Sequence, residues 1–263
     1  MSRVPPPGLP RPADGDRGGG VGVGAMTQLD LFRGDLVVAF SGGKDSTALA
    51  LQLAERGHAF RLLYTPTGNE LPAVNEHIAR VAAHIGMELV IPEGPNLRDS
   101  ILDQRCIPNF RMRWCTRMIK IEPCARWLQG HPGITLAVGL RADEDGRAGG
   151  TYDAADITYP LRDWCWDEGM VIDYCKAQGF EPPERTDCAW CYHQTLSEWW
   201  SLWSTNPMLF EQGESLELYL GHTFRSEDRD TWPASMRGLR REFEQGRKPK
   251  PRRRRSSCRV CSL

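Results

Sequence analysis

The sequence lacks any apolar run long enough to cross a membrane, since no segment approaches the roughly 18 consecutive apolar residues that a spanning helix needs. The first 26 residues also lack the apolar stretch of a secretory signal. They hold seven Gly and five Pro and almost nothing large and apolar, so we expect residues 1–26 to be disordered. Met26 directly precedes the first foldable segment, and one hypothesis places the true start there. Together these absences predict a cytoplasmic protein with no membrane partner.

Acidic residues are missing from the other end of the chain. Residues 247–263 contain eight Lys or Arg and no Asp or Glu, whereas the whole chain carries a net charge of −1. A basic tail, residues 246–263, on an acidic body suggests a disordered arm that contacts the phosphates of a nucleic-acid acceptor. A merely solvated tail is the alternative. The tail also holds Cys258 and Cys261, but two cysteines alone do not complete a zinc site.

One short segment organises the rest of the chain, and it consists of Ser41, Gly42, Gly43, Lys44, Asp45 and Ser46. The apolar run at residues 36–40 predicts a buried parallel strand before it, and a helical pattern follows it. The four residues that separate Gly from Gly-Lys in an ordinary P-loop are missing. Glycine backbone, the N–H groups of a helix N-terminus, hydroxyls and a lysine together suit the binding of a phosphate.

This segment resembles the PP-loop of the ATP pyrophosphatases, the adenine nucleotide alpha-hydrolase-like group, and residues 41–46 are called the PP-loop below. The resemblance implies that these six residues bind the pyrophosphate of an adenine nucleotide such as ATP, with Lys44 also catalytic. It further implies cleavage of ATP between its α and β phosphates, which leaves an adenylylated substrate.

Alternation of strand and helix patterns predicts the fold. Strands are expected at 36–40, 60–64, 88–92 and 134–139, and helices at 45–56, 74–85 and 167–178. Short connections between them indicate an α/β fold with a doubly wound parallel sheet over residues 33–163. Residues 164–245 are expected to form a helical, cysteine-containing extension. Ligands of such sheets lie at the carboxyl ends of the strands, where the PP-loop and residues 67–70 fall.

Two further segments resemble the phosphoadenosine phosphosulfate (PAPS) reductase family. Thr67, Gly68 and Glu70 match its TGxExP pattern, although Thr-Gly-Asn is also an ordinary turn. The resemblance implies that these residues help to bind the adenine nucleotide. Trp114-Cys115-Thr116, followed by Lys120 and Pro123, matches the family's WCT…K…P segment. Five cations surround Cys115, so its thiolate is expected to be stabilised, with a buried structural cysteine as the alternative.

A third resemblance to the same family covers the charged segment after the fourth predicted strand. Gly139, Arg141 and Arg147 match its GxRxxES…R signature, with Asp145 where Ser is usual. The two arginines are expected to hold phosphate or sulfate through their planar forks, and Arg141 is assigned a catalytic part. Asp143 and Glu144 are expected to hold Mg²⁺. A charged surface loop is the alternative.

A CxxC pair supplies the remaining chemistry. Cys188 and Cys191 are expected to join Cys115 in one metal site near the PP-loop, because both segments should return to the carboxyl edge of the sheet. Three cysteines suit a [4Fe–4S] cluster with an open iron, whereas four ligands, with Cys106 or His193 as the fourth, suit a closed cluster or zinc. Free thiols or a structural zinc knuckle are the alternatives.

These features predict an enzyme that adenylylates an acceptor and then transfers sulfur to it. The acceptor is a nucleic acid or a small molecule, and a sulfur donor protein is an expected partner. One alternative is a reductase of adenylyl sulfate or PAPS, although the Cys-Cys pair and the Glu-Cys-Gly setting of those enzymes are both absent. The other alternative is a module that senses a nucleotide without catalysis.

Overall fold

The computed structural model describes residues 34–144, 146, 152–227 and 229–250. The predicted disordered segment 1–26, Arg147 and the arginine-rich end of the tail lie outside the described residues. Within them, no helix is both long enough and apolar enough to span a membrane.

Five parallel strands form one sheet in the order β3-β2-β1-β4-β5. The strands are β1 Asp35–Ala39, β2 Arg61–Leu63, β3 Leu89–Val90, β4 Ile134–Ala137 and β5 Ala155–Thr158. β1 is central, pairing Val38 with Leu62 of β2 and with Ala137 of β4. This arrangement confirms the predicted doubly wound parallel sheet, and it places the PP-loop at the middle of the carboxyl edge.

Helices cover both faces of the sheet and continue beyond it. They are α1 Lys44–Glu55, α2 Pro72–Ile85, α3 Leu97–Gln104, α4 Glu122–Gln129, α5 Pro160–Asp163, α6 Glu168–Ala177, α7 Leu196–Thr205, α8 Pro207–Leu220 and α9 Met236–Glu244. A π-helical segment, Thr116–Ile121, runs directly into α4. The helices α7, α8 and α9 confirm the predicted helical extension.

The alternation of side chains along β1 builds two separate cores. Val38 and Phe40 pack with α1, α2 and α6 on one face, whereas Val37 and Ala39 pack with Cys124 of α4 on the other. All four of these strand residues are buried. A strand that is buried on both faces reads as a continuous apolar run, which is why the sequence predicted it correctly.

A third core lies under the cysteine-containing extension. Trp190 and Trp199 are almost fully buried and pack near Phe224, with ring centroids 6.1 and 6.3 Å from that of Phe224. The indole N–H of Trp190 donates to the Leu209 carbonyl at 2.7 Å. Gly213 of α8 makes room for this ring, since an added Cβ would lie 2.8 Å from it. The extension therefore has a core of its own.

Both edge strands of the sheet differ from the sequence-based expectation. β5 is an edge strand of four residues, and its side chains at 155–158 are only half-buried or exposed. Such a strand needs no apolar run, so the pattern did not predict it. The predicted strand 88–92 is shortened to Leu89–Val90, because only these two residues pair with β2.

Candidate nucleotide and cysteine site

The PP-loop turns sharply between β1 and α1. Gly42 adopts a φ of +70°, in the left-handed region, and a Cβ added there would lie 2.7 Å from Cγ1 of Ile78. Only glycine meets both demands. Gly43 then caps the N-terminus of α1. The N–H groups of the first helical turn consequently face the end of β1, as a phosphate cradle requires.

Two hydroxyls hold this loop in shape. The backbone N–H of Ser41 donates to Oγ of Ser46 at 3.2 Å, and the Ser46 hydroxyl donates to the Gly43 carbonyl at 3.2 Å. The N–H of Gly43 donates to Oγ of Ser41 at 3.4 Å. Gly139, after β4, lets the next segment approach, since an added Cβ would lie 3.0 Å from the carbonyl carbon of Asp45. The cradle is therefore pre-formed.

Lys44 lies at the rim of the PP-loop. Its ammonium group is 3.0 Å from Oδ2 of Asp45 and 3.6 Å from Oε1 of Glu168 on α6. The side chain keeps 19% of its exposure, so the charge stays accessible from the mouth of the loop. The position suits a contact with an incoming phosphate, and the assignment of Lys44 to the pyrophosphate stays a prediction.

Arg141 is buried beneath the same loop among carboxylates. Its Nη1 donates to Asp45 at 2.9 Å, and its Nε donates to Asp143 at 2.8 Å. Glu144 lies 3.8 Å from Nη1 and also accepts the Arg141 backbone N–H at 3.3 Å. Hydrogen bonds and charges from these carboxylates outweigh burial and raise the pKa of Arg141, while Arg141 in turn lowers the pKa of Asp143.

This network bears on two predicted roles. The expected Mg²⁺ ligands Asp143 and Glu144 face the Arg141 guanidinium, so they do not fit a magnesium site in this arrangement. The expected phosphate clamp at Arg141 has its fork engaged by Asp45 and Asp143. Its contact with substrate stays a prediction, whereas its contact with the PP-loop is a structural fact.

The loop after β2 forms the neighbouring wall. The carboxylate of Glu70 accepts both the backbone N–H and the hydroxyl of Thr67, each at 2.6 Å. Gly68 has a φ of +72°, and an added Cβ would lie 2.8 Å from Cβ of Asn96. The N–H of Leu97 donates to the Thr67 carbonyl at 2.7 Å. Glu70 thus shapes this loop internally, and a role in nucleotide binding stays a prediction.

The CxxC segment is fixed directly against these two loops. A Cβ added at Gly43 would lie 3.5 Å from Oγ1 of Thr186, two residues before Cys188. The N–H of Ala189 donates to the Asn69 carbonyl at 2.7 Å. The cysteine loop, residues 185–194, therefore adjoins both the PP-loop and the loop after β2.

Sequence reasoning missed two residues that hold the cysteine loop closed. Arg185 donates from Nη1 to the side-chain oxygen of Gln194 at 2.8 Å and from Nη2 to the Cys188 carbonyl. Gln194 donates to the Ala189 carbonyl at 2.6 Å. Both side chains are buried. The signal available in the sequence was their spacing, because Arg185 lies three residues before Cys188 and Gln194 lies three residues after Cys191.

Three thiols lie together in this region. A hydrogen bond with Cys188 and burial raise the pKa of Cys191 well above its ordinary value. Burial, and then the neighbouring Cys191, raise the pKa of Cys115. Lys120 lowers it, but by less. The expected stabilisation of the Cys115 thiolate is therefore wrong, because Arg111, Arg113 and Arg117 are exposed to solvent while the sulfur is half-buried.

The donor set suits a sulfur-ligated group in its chemistry, since Cys191 adjoins both Cys188 and Cys115 and a metal would deprotonate such thiols. Within the described ranges, no three His, Cys, Asp or Glu side chains are already placed to hold a metal ion. Cys106 donates its thiol to the Ile107 carbonyl at 3.5 Å, and the His193 ring lies 4.3 Å from that of Tyr192. The identity of a fourth ligand stays a prediction.

Several solved structures are similar in fold to this chain. PAPS reductase from Candida auris is 16% identical over 57% of this chain and 75% of its own, with a TM-score of 0.46. The U34-tRNA thiolase NcsA from Methanococcus maripaludis, with its [4Fe–4S] cluster, is 17% identical over 88% of this chain and 76% of its own, with a TM-score of 0.47. NMN synthetase from Francisella tularensis is 15% identical, covering 84% and 89%, with a TM-score of 0.44.

Identities and TM-scores in this range carry no statement about a shared activity. None of the curated proteins matches this chain significantly. The family model of the phosphoadenosine phosphosulfate reductase domain matches residues 35–183, which is more than half of the chain. The match begins at β1 and includes the PP-loop, the loop after β2, Cys115 and Arg141. The chain belongs to the phosphoadenosine phosphosulfate reductase family.

Proposed function

We propose that this protein binds an adenine nucleotide at the PP-loop, adenylylates an acceptor with release of pyrophosphate, and directs sulfur to the activated acceptor. The observation that carries the proposal is that the cysteine loop lies beside the nucleotide loops: Ala189 donates to the Asn69 carbonyl, and the Thr186 hydroxyl lies 3.5 Å from where a Cβ at Gly43 would be. A site that joins a phosphate cradle to three thiols suits consecutive activation and sulfur transfer.

The first step is a substitution at the α-phosphorus of ATP. An acceptor oxygen forms a bond to that phosphorus, the bond to the bridging oxygen of the β-phosphate breaks, and pyrophosphate leaves with the electron pair. The helix N-terminus and Lys44 stabilise the negative charge that develops on the leaving pyrophosphate. Because this chain offers no fitting Mg²⁺ ligands at Asp143 and Glu144, no step is assigned to them.

The second step is redox-neutral when the sulfur co-reactant is at the oxidation level of hydrosulfide. The sulfur attacks the activated carbon, the carbon–sulfur bond forms, and the carbon–oxygen bond breaks so that AMP leaves. Cys115, Cys188 and Cys191 would hold a cluster or zinc at this place. A three-cysteine [4Fe–4S] cluster supplies an open iron that can bind sulfur. Cys191 is buried, which would limit the access of water to a sulfur held there.

A second candidate, a sulfonucleotide reductase, is favoured by the family match and by the hydrogen-bonded pair Cys188 and Cys191. In that reaction one cysteine attacks the sulfonyl sulfur and the nucleotide leaves. The second cysteine then releases sulfite and a disulfide remains, which an external dithiol must reduce. The two candidates therefore differ in their products.

In the deciding experiment, anaerobically purified full-length protein is incubated with ATP labelled at the α-phosphate, with Mg²⁺ and with either bulk tRNA or DNA. The proposal predicts pyrophosphate release and labelled AMP on the acceptor, both lost in Lys44→Ala and kept in Lys176→Ala, which removes an exposed cation from α6. A parallel reaction contains PAPS or adenylyl sulfate with a dithiol. Sulfite there, without pyrophosphate from ATP, would establish the reductase instead.

A further inference from the structure

A basic cleft opens beside the cysteine loop. It has a volume of about 410 Å³. Gln194 and the start of α7 form one part of its lining, and the segment 247–250 forms another. The rest is formed by Arg225, Arg229, Asp230 and Trp232. None of these residues belongs to the stretch that the family model matches.

Positive charge dominates the lining of this cleft. Its charged residues among the described ones are Arg225, Arg229, Asp230, Arg247, Lys248 and Lys250. The single acid is neutralised locally, since Arg225 donates to both Asp230 oxygens at 3.0 and 2.8 Å. Arg247 pairs with Glu242 at 2.7 Å. Lys248 and Lys250 add further positive charge to the lining, and both are exposed.

Aromatic rings accompany the cations. The guanidinium of Arg247 lies 3.9 Å from the ring centroid of Trp232, and the ammonium of Lys248 lies 5.7 Å from that of Trp200. Trp232 belongs to the lining of the cleft, whereas Trp200 lies next to it on α7. Sites for single-stranded nucleic acid combine cations, which follow the phosphates, with aromatic rings, which receive bases. A membrane surface would instead require a projecting basic face.

The cleft is joined to the cysteine loop through two residues. Gln194 lines the cleft and donates its side-chain amide to the carbonyl of Ala189, between the two cysteines. Arg229 donates to the Tyr192 carbonyl, immediately after Cys191, at 3.4 Å. A strand that occupies the cleft would therefore lie against the loop that carries Cys188 and Cys191.

We infer that this cleft is the docking site for the sugar-phosphate backbone of a single-stranded nucleic acid, and that the bound strand is the acceptor of the sulfur chemistry. The assignment of the bound strand as acceptor rests on the proposed function, whereas the assignment of the docking site does not. The chain continues from Lys250 into four consecutive arginines, residues 252–255. These lie outside the described residues, and the cleft is assigned without them.

The test measures binding of a fluorescent 20-mer of single-stranded DNA, and of RNA of the same length, to full-length protein by anisotropy at several salt concentrations. Lys248→Ala/Lys250→Ala should weaken binding by about tenfold and reduce the log–log salt slope by about 1.4, at ~0.7 for each single-strand phosphate contact. The control, Arg126→Ala/Lys176→Ala, removes two exposed cations that do not line the cleft. Circular dichroism and the thermal midpoint check that each variant folds.

Equal losses in the cleft and control variants would overturn the inference, since net charge alone would then account for binding. Unchanged affinity in the cleft variant would assign binding to the tail and also overturn it. Binding of the protein to phosphatidylserine vesicles, with no binding to oligonucleotides, would show that the cleft contacts a membrane instead of a nucleic acid. Measuring pyrophosphate release by the wild-type protein separates the two proposals. If the nucleic acid binds through the cleft but no pyrophosphate is released, the docking site is supported and the proposed activity is excluded.

Discussion

Ala189, between the two cysteines of the CxxC pair, donates its backbone N–H to the carbonyl of Asn69 at 2.7 Å. The bond joins the cysteine loop to the loop after β2, which lies beside the PP-loop. The two partners are far apart in the sequence, and the parallel sheet brings them together. The bond therefore fixes the position of the backbone that carries Cys188 and Cys191 relative to the loop after β2.

Replacement of Lys44 tests the phosphate cradle. Lys44→Ala removes a charge-assisted contact worth about 1.5–3 kcal/mol, so we expect ATP affinity to fall by about tenfold or more. Calorimetric titration with ATP measures this, and Lys176→Ala serves as the control because it removes an exposed cation away from the loop. Unchanged ATP affinity with an intact fold would exclude Lys44 from the phosphate site.

Replacement of Gly42 tests the strain in the PP-loop. Gly42→Ala meets both a positive φ and the Ile78 side chain at 2.7 Å, whereas Gly57→Ala meets a φ of +79° with no atom within 4 Å. We expect Gly57→Ala to cost about 1 kcal/mol of unfolding free energy, and Gly42→Ala to cost about 1–3 kcal/mol more. Urea unfolding of both variants measures the difference. Equal costs would show that the loop relaxes around the added methyl group.

Replacement of Arg141 tests the buried charge network. Arg141→Met removes the guanidinium from Asp45, which keeps Lys44 as a partner, and from Asp143, which is half-exposed, so we expect a loss of about 1–3 kcal/mol in unfolding free energy. Adding Asp45→Asn should restore part of this loss, because it removes one of the charges that lose the guanidinium. Urea unfolding of the two single variants and the double variant gives the coupling. Strict additivity would show that the ion pair contributes nothing to the fold.

The pH dependence of stability reports on His77. Burial, and then the charge of Arg80, lower its pKa from 6.5 to about 4, and the ring bonds to the Thr47 hydroxyl at 3.0 Å. As the pH falls below 6.5, His77 becomes protonated in the unfolded chain, whereas in the folded chain it stays neutral until about pH 4. The contribution of His77 is complete above pH 6.5 and is lost towards pH 4.

The lowering of the His77 pKa corresponds to about 3 kcal/mol of unfolding free energy. The measurement compares the unfolding free energy of wild type and His77→Gln at each pH, so that the other acid-sensitive groups cancel. We expect the difference between the two proteins to shrink by roughly that amount as the pH falls. A difference that stays constant with pH would mean that His77 titrates alike in both states.

The cysteines are tested by the cofactor that the protein retains. After anaerobic purification, Cys115→Ser, Cys188→Ser and Cys191→Ser should each abolish the same absorbance and metal content. Cys165→Ser is the matched control, because Cys165 is an exposed cysteine outside the cysteine loop. Iron, sulfide and zinc analysis identifies the group. A loss confined to one of the three variants would indicate separate roles.

The sequence by itself determined the parts of the fold whose physics is local. The strand β1 is apolar from Leu36 onwards because it is buried there on both faces, and Gly42 of the PP-loop is required by its positive φ. The edge strand β5 left no such pattern, since Asp156 and its neighbours are partly open to solvent. The closure of the cysteine loop by Arg185 and Gln194 was not predicted either, because it depends on a buried hydrogen-bonding chain.

Only the tertiary structure decided the electrostatics of the site. The cations around Cys115 predicted a stabilised thiolate, yet their long side chains reach solvent while the sulfur is half-buried beside Cys191, and burial raises its pKa. Arg141 likewise faces three carboxylates that the sequence pattern had assigned to phosphate and Mg²⁺. A linear pattern records which charges are present. The energy of each charge depends on its distance from its neighbours and from water, and folding alone sets those distances.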